Sequence, residues 1–265
     1  MSERWIDLHG LVNMRDLGGL PTSDGGRTAS ARLIRSDNLQ DLTDDDVTRL
    51  VDELGVTDIV DLRTDQEVHV EGPGPLRRVA SLTHHHHSLI EELPPSDSAR
   101  TVGQRALLTP DEGQRPSLDG EFWAKHYLGY LARRPDSVAA ALSVIARAEG
   151  ATVVHCAAGK DRTGTVVAMA LDVAGVPREE IVADYVLTAE RIDAIIARLM
   201  PRPTYGAALA KQEVGDQLPR AESIEAILDA VHEGWGGAAG WLLHRGWTQP
   251  DVARLRARLT EPAPR

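Results

Sequence analysis

One stretch constrains this chain more than any other: "ATVVHCAAGKDRTG", residues 151–164, where a β-branched run meets small residues, glycine and two cations. The run "ATVVHC" reads as a buried strand, and Thr163 to about Ala174 reads as a helix. The residues between must turn the chain from sheet to helix in a tight curve. Ala157, Ala158 and Gly159 are small enough to allow it. A strand that feeds a helix through a short loop is a building unit of an α/β fold.

The rest of the chain repeats that alternation. "ARLIRS" (31–36) and "VTDIVDLR" (56–63) read as strands. Between them "LTDDDVTRLVDELG" is a helix, opened by a Thr-x-x-Asp cap at Thr43 and stopped at Gly55. Strand, helix, strand in so short a span predicts a parallel crossover. "RRVASLT" (77–83) is expected as a third strand. Residues 91–119 are polar, carry four prolines and are expected as a long loop. Helices are expected near 120–133 and 136–149, and a single long helical segment over 177–200 begins at Pro177. Residues 201–220 are interrupted by Gly and Pro and form either a lid over a pocket or a surface connection. Three further helical segments follow. The expected architecture is one α/β domain over 1–265, with a central, mainly parallel sheet flanked by helices and a helix-rich C-terminal region.

The formal charge of −11 argues against nucleic acid or an anionic membrane surface as the main partner, although a small basic pocket can sit inside an acidic protein. Lys occurs only at 125, 160 and 211, so Arg supplies almost all the positive charge. Cys156 is the only cysteine, which excludes an intrachain disulfide and fits a reducing compartment. The first residues contain no apolar signal-like run, and no apolar stretch reaches the ~20 residues of a membrane span. A cytoplasmic location without membrane insertion is expected, with export without a leader left open.

The loop at Cys156 carries the chemistry. Backbone N–H groups of Ala157, Ala158, Gly159, Lys160, Asp161 and Arg162 are placed to converge at a helix N-terminus, where an anion is favoured. Lys160 and Arg162 add positive charge, and a guanidinium matches phosphate oxygens bidentately. A thiol in such a field ionises readily and becomes a nucleophile. Phosphate cradle and nucleophile in one loop imply phosphoryl transfer through a phosphocysteine, with no metal or cofactor. The leaving oxygen needs a proton, for which Asp161 and Asp61 are both candidates. Thr163 is placed to donate a hydrogen bond to the sulfur.

Competing readings are weaker. A nucleotide-binding P-loop would need Ser or Thr after Lys160, where Asp161 stands. In "HHHH" (84–87) adjacent strand residues face opposite sides, so the run does not form a metal site. "TDDDV" (43–47) is a capped, solvated helix start. His155 is expected to pack behind the loop, and "NMRDLGG" (13–19) to buttress it through turns.

The sequence His-Cys-x-x-Gly-Lys-Asp-Arg-Thr-Gly resembles the signature loop of the cysteine-dependent protein tyrosine phosphatases, in the atypical bacterial, PtpB-like branch. "NMRDLGG", "LIRSDNL" (33–39), "DIVDLRTDQE" (58–67) and "DYVLT" (184–188) stand at matching places. The resemblance implies a tyrosine-phosphatase-like fold, Cys156 as nucleophile, Arg162 as phosphate clamp and Asp161 as general acid. It also implies substrates that are phosphotyrosine proteins, with Lys160 adding phosphoserine/threonine or phosphoinositides. No Trp-Pro-Asp loop is found, so the acid stays open between Asp161 and Asp61. The rival functions are a phosphate-recognising pseudophosphatase that binds without turnover, and sulfur or arsenate chemistry on a similar loop.

Overall fold

The computed structural model describes residues 4–91 and 120–261, so the loop expected over 91–119 lies, beyond Glu91, outside the described residues. Strands β1 (Arg15–Asp16), β3 (Leu33–Ser36), β4 (Val56–Asp61), β5 (Thr83–His86) and β6 (Ala151–His155) form one sheet in the order β1-β3-β6-β4-β5. All neighbours are parallel except β1, which runs antiparallel along β3. A two-stranded ribbon of β2 (Arg27–Thr28) and β7 (Thr260–Glu261) lies apart. The crossover from β3 to β4 leaves a gap that β6 fills. Ser36, His155, Asp61 and His86 consequently share one edge of the sheet. That carboxyl edge is where open α/β sheets bind ligands.

Helix α1 (Asp44–Thr48) opens with the expected capping box at Thr43 and continues as a wider turn to Glu53, ending at Gly55 with φ of +62°. The expected strand over 77–83 is corrected. Residues Pro75–Arg78 form a 3₁₀ turn, and the strand starts only at Thr83, in the histidine run. Leu76, Val79 and Leu82 recur every three residues, a helical spacing, and all pack into the core cluster below the sheet. Alternation in β6 splits the core: Val153 packs below with Ile34 and Ile59, Val154 above with Val60.

After α2 (Asp65–Glu71), α3 (Gly120–Arg133) and α4 (Pro135–Arg147) comes α5 (Asp161–Ala174), beginning two residues earlier than expected. Twelve of its fourteen residues are buried, because α3, α4 and the C-terminal helices surround it. The C-terminal region holds α6 (Arg178–Val186), α7 (Ile192–Leu199), α8 (Gly206–Leu209), α9 (Ala221–Trp235), α10 (Ala238–His244) and α11 (Gln249–Leu259). The single helix expected over 177–200 is therefore broken, by a 3₁₀ turn at Leu187–Arg191. Arg15 enters at the break: its Nη2 donates to the Asp184 carbonyl at 2.6 Å and to Thr188 Oγ1 at 3.2 Å, a side-chain donor at the helix ladder.

Asp184, 1% exposed, holds the sheet edge to these helices. Its carboxylate receives Arg4 at 2.8 Å, Arg15 at 3.1 Å and Arg35 at 2.7 Å. Burial opposes its ionisation, but the three guanidinium groups outweigh burial and hold it well below the usual carboxylate range. Burial and the nearby Arg35 lower Arg15 to about 10, with Asp184 pulling the other way. Removing the carboxylate leaves buried cations unpaired. Asp184→Ala is expected to cost about 3–5 kcal/mol in urea unfolding, and a loss under 1 kcal/mol would contradict this account.

Candidate active site

The loop between β6 and α5 is held by its carbonyls. Asn38 N–H donates to Ala157 O at 3.0 Å and Asn13 Nδ2 to Ala158 O at 2.8 Å. Arg35 Nη2 donates to Gly159 O at 2.8 Å, and Gly164 N–H to Lys160 O at 2.7 Å. A trans peptide sets its N–H opposite its C=O. Three of these donors come from other elements and the fourth is the opening bond of α5, so the N–H groups of Ala158, Gly159, Lys160 and Asp161 point away from those partners. Gly159 is required twice over. Its φ is +67°, and a Cβ there would stand 2.5 Å from Ser36 O.

Cys156 follows the last residue of β6, 2% exposed, and Arg162 lies in the first turn of α5. Glu67 fixes Arg162: Nη1 donates to Oε2 at 2.6 Å and Nη2 to Oε1 at 3.0 Å. Glu67 is wholly buried, and is itself held by Thr64 N–H at 2.8 Å and Tyr205 Oη at 2.9 Å. Burial opposes charge on both partners. Their mutual attraction wins, so the Glu67 carboxyl is lowered and the guanidinium raised well above its usual range. Arg162 is therefore a fixed, charged fork whose geometry does not wait for a ligand.

The two candidate acids sit differently. Asp61 is gripped by Arg63 through Nε at 2.9 Å and Nη2 at 2.6 Å. Burial pushes its carboxyl up, but at the acid pH where it titrates, a protonated His155, the charge of Arg63 and the Arg63 hydrogen bonds together outweigh burial. The carboxyl is held well below its usual range and carries no proton near neutral pH. Asp161 has a side chain 15% exposed, with Oδ1 accepting from Tyr127 Oη and lying 3.5 Å from Lys160 Nζ. Lys160, 2% exposed, donates to the carbonyl of Gln217 at 2.7 Å, so its ammonium reaches out of the loop towards residues 201–220. Ala157 and Ala158 belong to one buried apolar cluster with Ile195, Leu199, Tyr205 and Leu209. Thr163 is fully buried. The hydrogen bond expected from Thr163 to the sulfur is not made, and its hydroxyl has no partner among the described residues.

Residues 6–261 match the Tyrosine phosphatase family. The chain belongs to that family. A tyrosine-protein phosphatase of Nostoc commune is 30% identical over 261 residues, covering 96% of this chain and 83% of that protein. A triple specificity protein phosphatase, PtpB of Mycobacterium tuberculosis, is 30% identical over 275 residues, covering 94% of this chain and 97% of that protein. The chain is thus an enzyme of the tyrosine phosphatase kind.

In this phosphatase the sequence reading placed the loop residues together but missed Glu67. The signal was present, since "TDQE" is a Thr-x-x-Glu cap, and Thr64 does cap α2 with Glu67. The structure adds that the same carboxylate reaches Arg162. In the histidine run, His85 pairs with Asp58 at 2.8 Å and His86 with Asp65 at 3.1 Å. Among the described residues no cluster suits a metal ion, and no helix is long and apolar enough to cross a membrane.

His155 lies behind the loop, 2% exposed, with Nδ1 3.3 Å from Cys156 O and Nε2 3.6 Å from Asp61. Burial lowers it to about 4 despite Asp61, so the ring is neutral at neutral pH and that contact is no ion pair there. The unfolded chain protonates this histidine near 6.5 and the folded one near 4. Between those values the unfolded state binds more protons, and stability falls as pH falls. The slope from this one group approaches about 1.4 kcal/mol per pH unit. Urea unfolding at pH 7, 6 and 5 is expected to show a shallower decline for His155→Gln than for the parent chain. Equal slopes would remove His155 from the account.

Proposed function

We propose that this phosphatase hydrolyses phosphate monoesters, chiefly phosphotyrosine, through a phosphocysteine on Cys156. The observation that supports it best is the loop whose four carbonyls all have donors, three of them on other elements, beside an Arg162 locked by Glu67. Such a loop offers a phosphoryl group preorganised N–H donors and a bidentate cation. The Cys156 sulfur attacks phosphorus, and the bond to the ester oxygen breaks as Asp161 gives that oxygen its proton. Water then attacks the phosphocysteine, Asp161 takes a proton from the water, and the sulfur leaves as phosphate departs. Asp61 stays ionised against Arg63 and anchors the strand end.

The substrate range extends, in this reading, to phosphoserine/threonine and phosphoinositides. Lys160 in the loop supports this, as does the relative named for triple specificity. Residues 201–220 act as a lid. That assignment is supported by Tyr205 on Glu67, by Gln217 on Lys160 and by the apolar contacts on Ala157 and Ala158.

Cys156→Ser is expected to lower p-nitrophenyl phosphate hydrolysis by several orders of magnitude. A parent chain that binds phosphotyrosine peptide without releasing phosphate would instead be a pseudophosphatase. Asp161→Asn should slow phenyl phosphate by about 10²–10⁴-fold while sparing the better leaving group of p-nitrophenyl phosphate. Equal losses on both substrates would remove Asp161 as the acid. Lys160→Ala should reduce phosphate release from phosphoinositide vesicles more than from a phosphotyrosine peptide.

A further inference from the structure

Tyr127 enters the site from α3, an element on which the sequence reading placed no functional residue. Its side chain is 2% exposed, and its hydroxyl donates to Oδ1 of Asp161. The same hydroxyl lies 2.7 Å from that of Tyr185 on α6, also 2% exposed, with the two rings edge to face. Lys160 Nζ approaches Oδ1 as well, at 3.5 Å. Both contacts therefore fall on one carboxyl oxygen, and Oδ2 receives no hydrogen bond among the described residues.

The direction of this chain of hydroxyls follows from proton inventory. A carboxylate oxygen only accepts, so the Tyr127 proton points to Asp161, and the Tyr127 oxygen accepts from Tyr185. Burial, followed by the nearby charge of Asp161, pushes both phenols above their usual range, so both remain O–H donors. An aspartate χ2 torsion is otherwise broad, and either oxygen could carry the proton.

We infer that Tyr127 is a positioning residue for the proton donor: its hydroxyl, aimed by Tyr185, pins Oδ1 of Asp161 so that the transferable proton resides on Oδ2. This rests on the reading of Asp161 as general acid. The bond to Oδ1 is kept through both steps, since Oδ1 accepts whether Oδ2 bears the proton or has given it to the leaving oxygen. A carboxyl pinned in this way loses less orientational freedom at the moment of transfer.

The test compares kcat for phenyl phosphate with kcat for p-nitrophenyl phosphate, because only the first depends strongly on a donated proton. Tyr127→Phe keeps the ring and removes the hydroxyl. It is expected to lower the ratio of the two kcat values by at least about tenfold with KM unchanged. In an Asp161→Asn background the same change is expected to leave the ratio where Asp161→Asn alone puts it. Slowing of both substrates by one factor, or a further drop in the double variant, overturns the positioning role. If Asp161→Asn lowers the ratio and Tyr127→Phe does not, the positioning role alone falls. If Asp161→Asn leaves the ratio unchanged, the general-acid reading falls and the positioning role falls with it. Should Tyr127→Phe not fold, Tyr185→Phe removes the hydroxyl that aims Tyr127. A lowered ratio in that variant supports the assignment, and an unchanged ratio overturns it.

Discussion

A loop that offers its amide hydrogens to an anion must place its carbonyl oxygens elsewhere, and much of this molecule meets that requirement. Four consecutive carbonyls, from Ala157 to Lys160, find donors on Asn38, Asn13, Arg35 and Gly164. Two of those donors are long side chains that must themselves be immobilised. Arg35 is fixed by Asp184, and Asn13 by its place beside Arg15, which also ends on Asp184. The N-terminal segment, the end of β3 and the helix after α5 are thereby drawn to one buried carboxylate.

The same requirement explains how an acidic chain, with formal charge −11, keeps several arginines buried. Its buried arginines each meet an acidic partner, Asp184 serving more than one. Arg15 and Arg35 meet Asp184, Arg63 meets Asp61, and Arg162 meets Glu67. Fixed pairs of this kind are preorganised rather than strongly stabilising, since desolvation offsets most of their attraction. Their value here is directional. Arg162 is presented as a fork in one orientation, and Asp61 is kept ionised, which leaves the proton-donor role to Asp161 in the proposed mechanism.

Much of the fold was legible because it rests on short-range signals. The caps at Thr43 and Thr64, the stop at Gly55 and the β-branched runs of β4 and β6 each act within a few residues. Errors arose where tertiary contact overrode a local pattern. Residues 77–83 look like a strand, but Leu76, Val79 and Leu82 serve the core at a helical spacing. Residues 177–200 look like one helix, yet it breaks at Leu187–Arg191, next to the Asp184 carbonyl that Arg15 hydrogen-bonds. Glu67 carried a visible capping signal that disclosed one of its two roles.

By itself the sequence determined the strand, the tight loop and the helix around Cys156, because the types and spacing of adjacent residues set that geometry through local sterics and backbone hydrogen bonding. Tertiary structure alone decided how the loop is used. Asn13 reaches Ala158 across 145 positions, Glu67 reaches Arg162 across 95, and Tyr127 reaches Asp161 across 34. No local rule specifies such partners. They meet because burying the apolar faces of the sheet and of α5 brings distant segments to one edge, where each buried charge or carbonyl must find a partner.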